Sequence, residues 1–230
     1  MNGAHVFKRP PTAQEAVLVE LRRAIVEGEL APGTQIVQEA LAERLGLSRV
    51  PIREALKILE GEGQVSYSPH RGYFVTELDL DDIREVYRIR RILESDAAVI
   101  GVPRLTDADL VSMAVAVEDL ARASAVDDMV AMTAANRRFH FTIIEASGMP
   151  RLTRLVRQLW DAIDPYRVLY YTEPSNRETV DRQHREILAA VRARDTDRVV
   201  TLLDEHREHA IARFQQILGP DDDLLVGRRV

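Results

Sequence analysis

The sequence contains no cysteine, which excludes disulfide staples, Cys-type zinc fingers and thiolate catalysis. No apolar run approaches the length of a bilayer span. Nor does a signal-peptide core follow the first residues, so the expected compartment is the cytoplasm, with no membrane partner. Positive charge is scarce too. The 230 residues carry a net charge of −6, and residues 10–78 hold seven Lys and Arg against ten Asp and Glu. That balance argues against a protein that coats nucleic acid indiscriminately. Any DNA binding must rest on locally clustered cations and depend strongly on salt and on dimerisation. Beyond residue 79 there is no alternating strand pattern, and the chain has no internal repeat. What is present is 46% hydrophobic and 30% charged, a core-forming composition at a length that suits two modest domains.

The densest local pattern is Ser48–Leu59, SRVPIREALKIL. Ser48 can cap a helix and Pro51 suits its first turn. Ile52, Leu56 and Leu59 then share one face, while Arg49, Arg53 and Lys57, four apart, line another. A helix that is apolar on one side and cationic on the other suits a DNA major groove, and also describes an ordinary surface helix. The neighbours favour the groove. Gln38–Leu45 is a second amphipathic helix ending at Gly46, a natural left-handed cap, so two short helices meet at a tight turn. Gln14–Glu27 reads as a longer helix before them. After them, Val65–Ser68 and Tyr73–Val75 flank Pro69-His70-Arg71-Gly72 as a two-stranded hairpin with Arg71 at its tip.

Residues 14–75 resemble the winged-helix domain of the GntR family of bacterial transcription regulators. The matching pieces are Gly28-Glu29-Leu30-Ala31-Pro32-Gly33, Leu41 to Arg49, Pro51-Ile52-Arg53-Glu54-Ala55-Leu56 and the wing Pro69-His70-Arg71-Gly72. The resemblance implies that Ser48, Arg49, Val50 and Arg53 face the groove, with Arg71 and Gly72 on the wing; Lys57 adds a phosphate contact. Val50, where many members are polar, offers a thymine-methyl contact in place of a hydrogen bond. Lys8 and Arg9 lie in a non-periodic tail that can reach phosphates or fray.

From residue 79 on, the periodicity predicts helices over 81–101, 106–123, 126–147, 150–171, 176–193 and 196–217, with Pro165 expected to kink one of them. Residues 219–230 read as unstructured by composition. The predicted fold is mainly α: a winged helix-turn-helix (three helices plus a two-stranded wing) over 10–78, then an all-α antiparallel six-helix bundle over 79–218. Asn136 and His140 are four apart on one helix. His184 aligns with Val180, Ile187 and Leu188, and His206 with Val199, Leu202 and Leu203. Three histidines thus fall on the inward faces of three helices. They suit a divalent metal such as Zn or Ni, and equally suit hydrogen-bonded core residues. His209 falls at the edge of its stripe.

This second half resembles the FCD effector domain of FadR-type GntR regulators. The matching residues are Arg90 with Leu93-Glu94, Asn136-Arg137-Arg138-Phe139-His140, Gln183-His184-Arg185-Glu186-Ile187-Leu188 and His206. The resemblance implies a divalent metal held by Asn136, His140, His184 and His206, where members often have Asp at the first position. It also implies a small organic acid bound beside Arg90, a good bidentate carboxylate partner. The other reading of Arg90 is a surface ion pair with Glu94. Trp160 and Tyr166, with Tyr170 and Tyr171, can line the pocket, fill the core or make dimer contacts. The function expected is a homodimeric repressor that reads a palindromic operator under control of a carboxylate effector, and not an enzyme. The alternatives are a metal-dependent hydrolase using the three histidines, and a structural DNA-binding protein without effector.

Overall fold

The computed structural model describes residues 12–218; Lys8, Arg9 and the segment 219–230 lie outside them. The chain falls into two compact units that divide between Glu77 and Leu78.

The first unit starts with α1 (Ala13–Val26), opened by a reciprocal capping box between Thr12 and Glu15. Helices α2 (Gln38–Leu45) and α3 (Arg49–Gly61) follow, joined through Gly46 at φ 64°, ψ 32°. Ser48 occupies the N-cap position of α3 in extended conformation, but its side chain makes no capping hydrogen bond. The reason lies in the sequence. Pro51 stands at the third helical position, where the capping hydroxyl normally finds an N–H, and proline has none. Ile52, Ala55, Leu56 and Leu59 of α3 close a core with Val17, Leu21 and Ile25 of α1.

The wing carries three strands where the sequence predicts two. Strands β2 (Val65–Ser68) and β3 (Gly72–Val75) form the expected hairpin, in register Val65↔Val75 to Ser68↔Gly72. A two-residue strand β1 (Gln35–Ile36) pairs with the other edge of β3, Ile36 opposite Tyr73. Two residues cannot show a period of two, so β1 has no sequence signature of its own. It is set by the preceding turn, where Gly33 at φ 79° lets its N–H reach Val75 O at 3.0 Å.

The second unit is helical throughout its described residues: α4 (Leu80–Gly101), a 3₁₀ turn (Val102–Arg104) that absorbs Pro103, α5 (Asp107–Ala125), α6 (Met129–Ala146), α7 (Pro150–Tyr171), α8 (Pro174–Arg192) and α9 (Thr196–Ile217). Starts are fixed by side chains. Asp79 caps α4, Thr106 caps α5, Asp128 caps α6 and Asp195 caps α9. Helix α7 continues through Pro165, whose ring removes the hydrogen bond to the Asp161 carbonyl. Helix α4 packs on α6, α7 and α9, and α5 on α6 and α8. Gly101 permits the closest approach: a Cβ there would stand 2.4 Å from the Ile143 carbonyl oxygen of α6. An apolar core of α5, α6, α8 and α9 residues, Phe139 and Ile187 among them, lies on one side of α6, and a smaller cluster of Phe141, Val156 and Trp160 on the other.

Candidate functional site

Each unit gathers one set of the predicted site residues. In the first, Arg49, Val50, Arg53 and Lys57 of α3 border a surface cleft of about 530 Å³ together with Gln38, Glu60, Tyr67 and Tyr73. Ser48 is exposed at the mouth of α3, and Val50 is 52% exposed although apolar. Arg49 is held by Glu39 at 2.8 Å, a pair that competes with any other partner of this guanidinium. Arg71 sits at the turn Ser68–Arg71, closed by its amide to the Ser68 carbonyl at 3.0 Å. Pro69 occupies the second position of that turn and His70 the third at φ 64°, the signature of a type II turn with histidine where glycine is usual. The Arg71 guanidinium lies 5.1 Å above the Phe74 ring, and the Gln35 side chain donates to the Arg71 carbonyl. Gly72 is left-handed at φ 90°. Tyr67, 52% exposed with its ring 5.1 Å from that of Tyr73 and tilted against it, is an addition to the residues expected from sequence; it shares the strand face of the buried Val65, so the period of two gave no signal for its exposure.

In the second unit, α6, α8 and α9 bring His140, His184 and His206 together. One ring nitrogen from each lies within 4.8 Å of those of the other two, and all three residues are buried. Their rings contact one another at 5.0–5.2 Å between centroids, flanked by Phe139 on one side and Trp160 on the other. Tautomers follow from the partners. His184 Nδ1 meets the Val180 carbonyl at 2.8 Å and His206 Nδ1 meets the Gln183 amide oxygen at 2.7 Å. Both oxygens accept only, so each Nδ1 carries the proton and each Nε2 presents a lone pair. His184 Nε2 and His140 Nε2 are buried without a hydrogen-bond partner, as are both amide atoms of Asn136, one turn before His140. Burial pushes the three imidazoles down. His184 falls to about 4, against the opposing pull of its Val180 hydrogen bond. His140 and His206 fall well below 6.5, helped by the neighbouring histidines and the Arg167 and Arg90 charges. All three are therefore neutral at neutral pH, the ligand form.

Orphaned lone pairs on buried atoms are costly, and natural interiors rarely keep them. A cation answers those of the imidazoles: three ring nitrogens within 4.8 Å of one another are a donor set that fits a first-row divalent ion, and the unpartnered Asn136 amide lies one turn before His140. His209 stands outside this group. It is half-buried and meets the Tyr170 ring edge-on.

A charged network surrounds the histidines. Arg90 is not on the surface. It is 2% exposed and donates from Nε to Glu94 Oε1 at 2.7 Å. Trp160 Nε1 donates to the same oxygen at 2.7 Å, and Arg207 Nη1 to the other at 3.0 Å. Burial alone would push the Glu94 carboxyl up. The charges of Arg90 and Arg207 and the Arg90 and Trp160 hydrogen bonds outweigh it and hold Glu94 below its ordinary value. The Arg90 and Arg167 guanidiniums lie 4.1 and 5.1 Å from the centre of the Trp160 ring, which in turn lies 5.2 Å from His140. Arg90 Nη1 and Arg167 Nε are buried without a hydrogen bond. Tyr166 is engaged elsewhere, since its hydroxyl accepts the Leu78 amide at 2.7 Å, at the start of this unit. Tyr170 and Tyr171 fill the core beside Phe214. Sequence reasoning missed Arg167 and Arg207 as partners; arginines in line with inward residues of α7 and α9 were the available signal.

Comparison with known proteins places both halves. Residues 13–75 match the bacterial regulatory proteins of the gntR family, and residues 85–209 match the FCD domain. The HTH-type transcriptional regulator McbR of Escherichia coli K12 is 33% identical over 201 residues, 86% of this chain and 90% of McbR. The solved McbR/YncC structure superposes with a TM-score of 0.82 at 30% identity, covering 90% of this chain and 100% of that one. A GntR-type regulator structure from Rhodococcus sp. RHA1 gives 0.76 at 27% identity, covering 91% and 99%. The HTH-type transcriptional repressor RspR of E. coli K12 is 25% identical over 210 residues, 88% of this chain and 89% of RspR. These relatives are transcription regulators and not enzymes, which sets the hydrolase alternative aside. With an N-terminal winged helix of the matched kind and an FCD domain over more than half its length, the chain belongs to the GntR family of DNA-binding transcription regulators.

Proposed function

We propose that this regulator is a metal-containing, ligand-responsive repressor of the cytoplasm. The observation that carries the reading is the convergence of His140, His184 and His206 in a buried site with orphaned nitrogens. In it, Asn136 and the three histidines hold one divalent ion, Zn or Ni, which when bound supplies a Lewis-acidic centre for an anionic ligand. A small organic acid sits beside it, met by Arg90 and walled by Trp160, with Tyr166 supporting the same helix from its bond to Leu78. Repression as the sign of regulation is supported by the likeness to RspR, a transcriptional repressor. A homodimer would present two copies of α3 to the half-sites of a palindromic operator. There Ser48, Arg49, Val50 and Arg53 would face the bases, with Lys57, Arg71 and Gly72 on phosphates and the adjacent groove. An acid that binds one bundle arrangement better than another shifts operator affinity by that difference.

The test is metal analysis of the purified chain, with melts across a panel of small carboxylates before and after chelation. About one divalent ion per chain, with ligand-induced shifts lost on chelation, is the expected result. Absence of metal, together with melts indifferent to chelator, overturns the metal reading and leaves the histidines as packing residues.

A further inference from the structure

We infer that the acid bound in this bundle is a dianion, with one anionic group at the metal and a second at the buried edges of Arg90 and Arg167; the inference rests on the metal-and-acid reading above. Two ion networks flank the histidines, and each neutralises itself. In one, Glu94 lies between Arg90 (2.7 Å) and Arg207 (3.0 Å), and Arg207 also holds Asp204 at 2.5 Å. In the other, Asp164 lies between Arg137 (2.6 Å) and Arg167 (4.0 Å), and Arg137 also holds Asp161 at 2.6 Å. Arg91 reaches Asp204 at 3.2 Å, but its side chain is 58% exposed and its charge is left to water.

The four groups offered to the metal add no charge: three neutral imidazoles and the Asn136 amide. No group among the described residues then offsets the two positive charges of the ion, in an interior where uncompensated charge is expensive. A monocarboxylate leaves one of them uncompensated; a dianion leaves none. Donors for the second anionic group are in place. Arg90 Nη1 and Arg167 Nε are buried without hydrogen bonds, and both guanidiniums share the Trp160 ring that also borders His140. Guanidinium edges of this kind recognise carboxylate or phosphate oxygens. Asn136 sets the charge demanded of the ligand, since an aspartate at that position would itself carry one of the two negative charges.

The experiment is calorimetric titration of the full chain, loaded with one equivalent of Zn²⁺, with succinate and with succinamate, which has the same skeleton and one charge fewer. Succinate is expected to bind about tenfold tighter or better, and Asn136→Asp to narrow that ratio to about threefold or less. Equal binding of the two probes to the wild-type chain overturns the inference, as does an unchanged ratio in Asn136→Asp. The wild-type comparison decides by itself if that variant does not fold. Methyl phosphate binding tighter than succinate would replace the dicarboxylate with a phosphate ester. Failure of the metal-and-acid reading looks different: neither probe binds, or binding survives chelation.

Discussion

Glu94→Gln tests the charged network at its centre. The carboxylate accepts from Arg90, Trp160 and Arg207 and is 3% exposed. The amide keeps the volume but replaces one acceptor oxygen with a donor, aimed at groups that also donate, and leaves the guanidiniums without their shared anion. Breaking one side of a buried ion pair costs about 3–5 kcal/mol, a large part of a typical stability of about 5–15 kcal/mol. For a chain of this size about 3 kcal/mol lowers Tm by about 6–12 °C. The assay is built in: Trp160 is the one tryptophan of the sequence, lies in the FCD domain and donates directly to Glu94, so its fluorescence follows that domain alone in urea or heat. The pH dependence has a definite sign. Glu94 titrates below its unfolded value of 4.5 in the folded chain, so its contribution is complete above 4.5 and is lost as pH falls through the folded value. The gap between wild type and variant should be constant from about pH 6 to 8 and narrow on acidification below 4.5. A gap under about 1 kcal/mol at about pH 7, or one that widens in acid, refutes the reasoning.

Other outcomes follow from single residues. Gly101→Ala drives a Cβ to within 2.4 Å of the Ile143 carbonyl, so α4 and α6 must separate; the expected cost is about 1–3 kcal/mol, read from Trp160 unfolding. Lys57→Ala should weaken operator and random DNA alike and reduce the slope of log affinity against log salt by about one, whereas Arg53→Ala should cost about 1–3 kcal/mol on operator only, both measured by fluorescence anisotropy across a salt series. His140→Ala should abolish retention of the divalent ion in metal analysis while operator binding without effector persists; retention of a full equivalent of ion would remove His140 from the ligand set.

Much of this protein was determined by local sequence. The helix-turn-helix was legible because its signals are short-range: apolar spacing in Gln38–Leu45 and Ser48–Leu59, a left-handed glycine at 46 between them, turn residues at the wing tip. The bundle helices were legible because each needs an apolar stripe and ends at a proline, a glycine or a capping Asp, and Pro150 and Thr196 begin α7 and α9 where the sequence places them. Inward faces placed three histidines in the interior, although spacing alone left a metal and an ordinary core equally open.

The tertiary structure decided what depends on partners distant in sequence. Strand β1 exists only because β3 offers it an edge. Ser48 loses its capping bond to the missing amide of Pro51, a detail of helix position and not of residue preference. Arg90, whose other sequence reading is a surface ion pair with Glu94, is buried because Trp160 and Arg207 approach from α7 and α9 to share that carboxylate. Tyr166 is committed to Leu78, 88 residues away. Above all, periodicity can say that His140, His184 and His206 point inward. Only the packing of α6, α8 and α9 brings their nitrogens within 4.8 Å, because that distance is fixed by helix crossings that no single segment encodes.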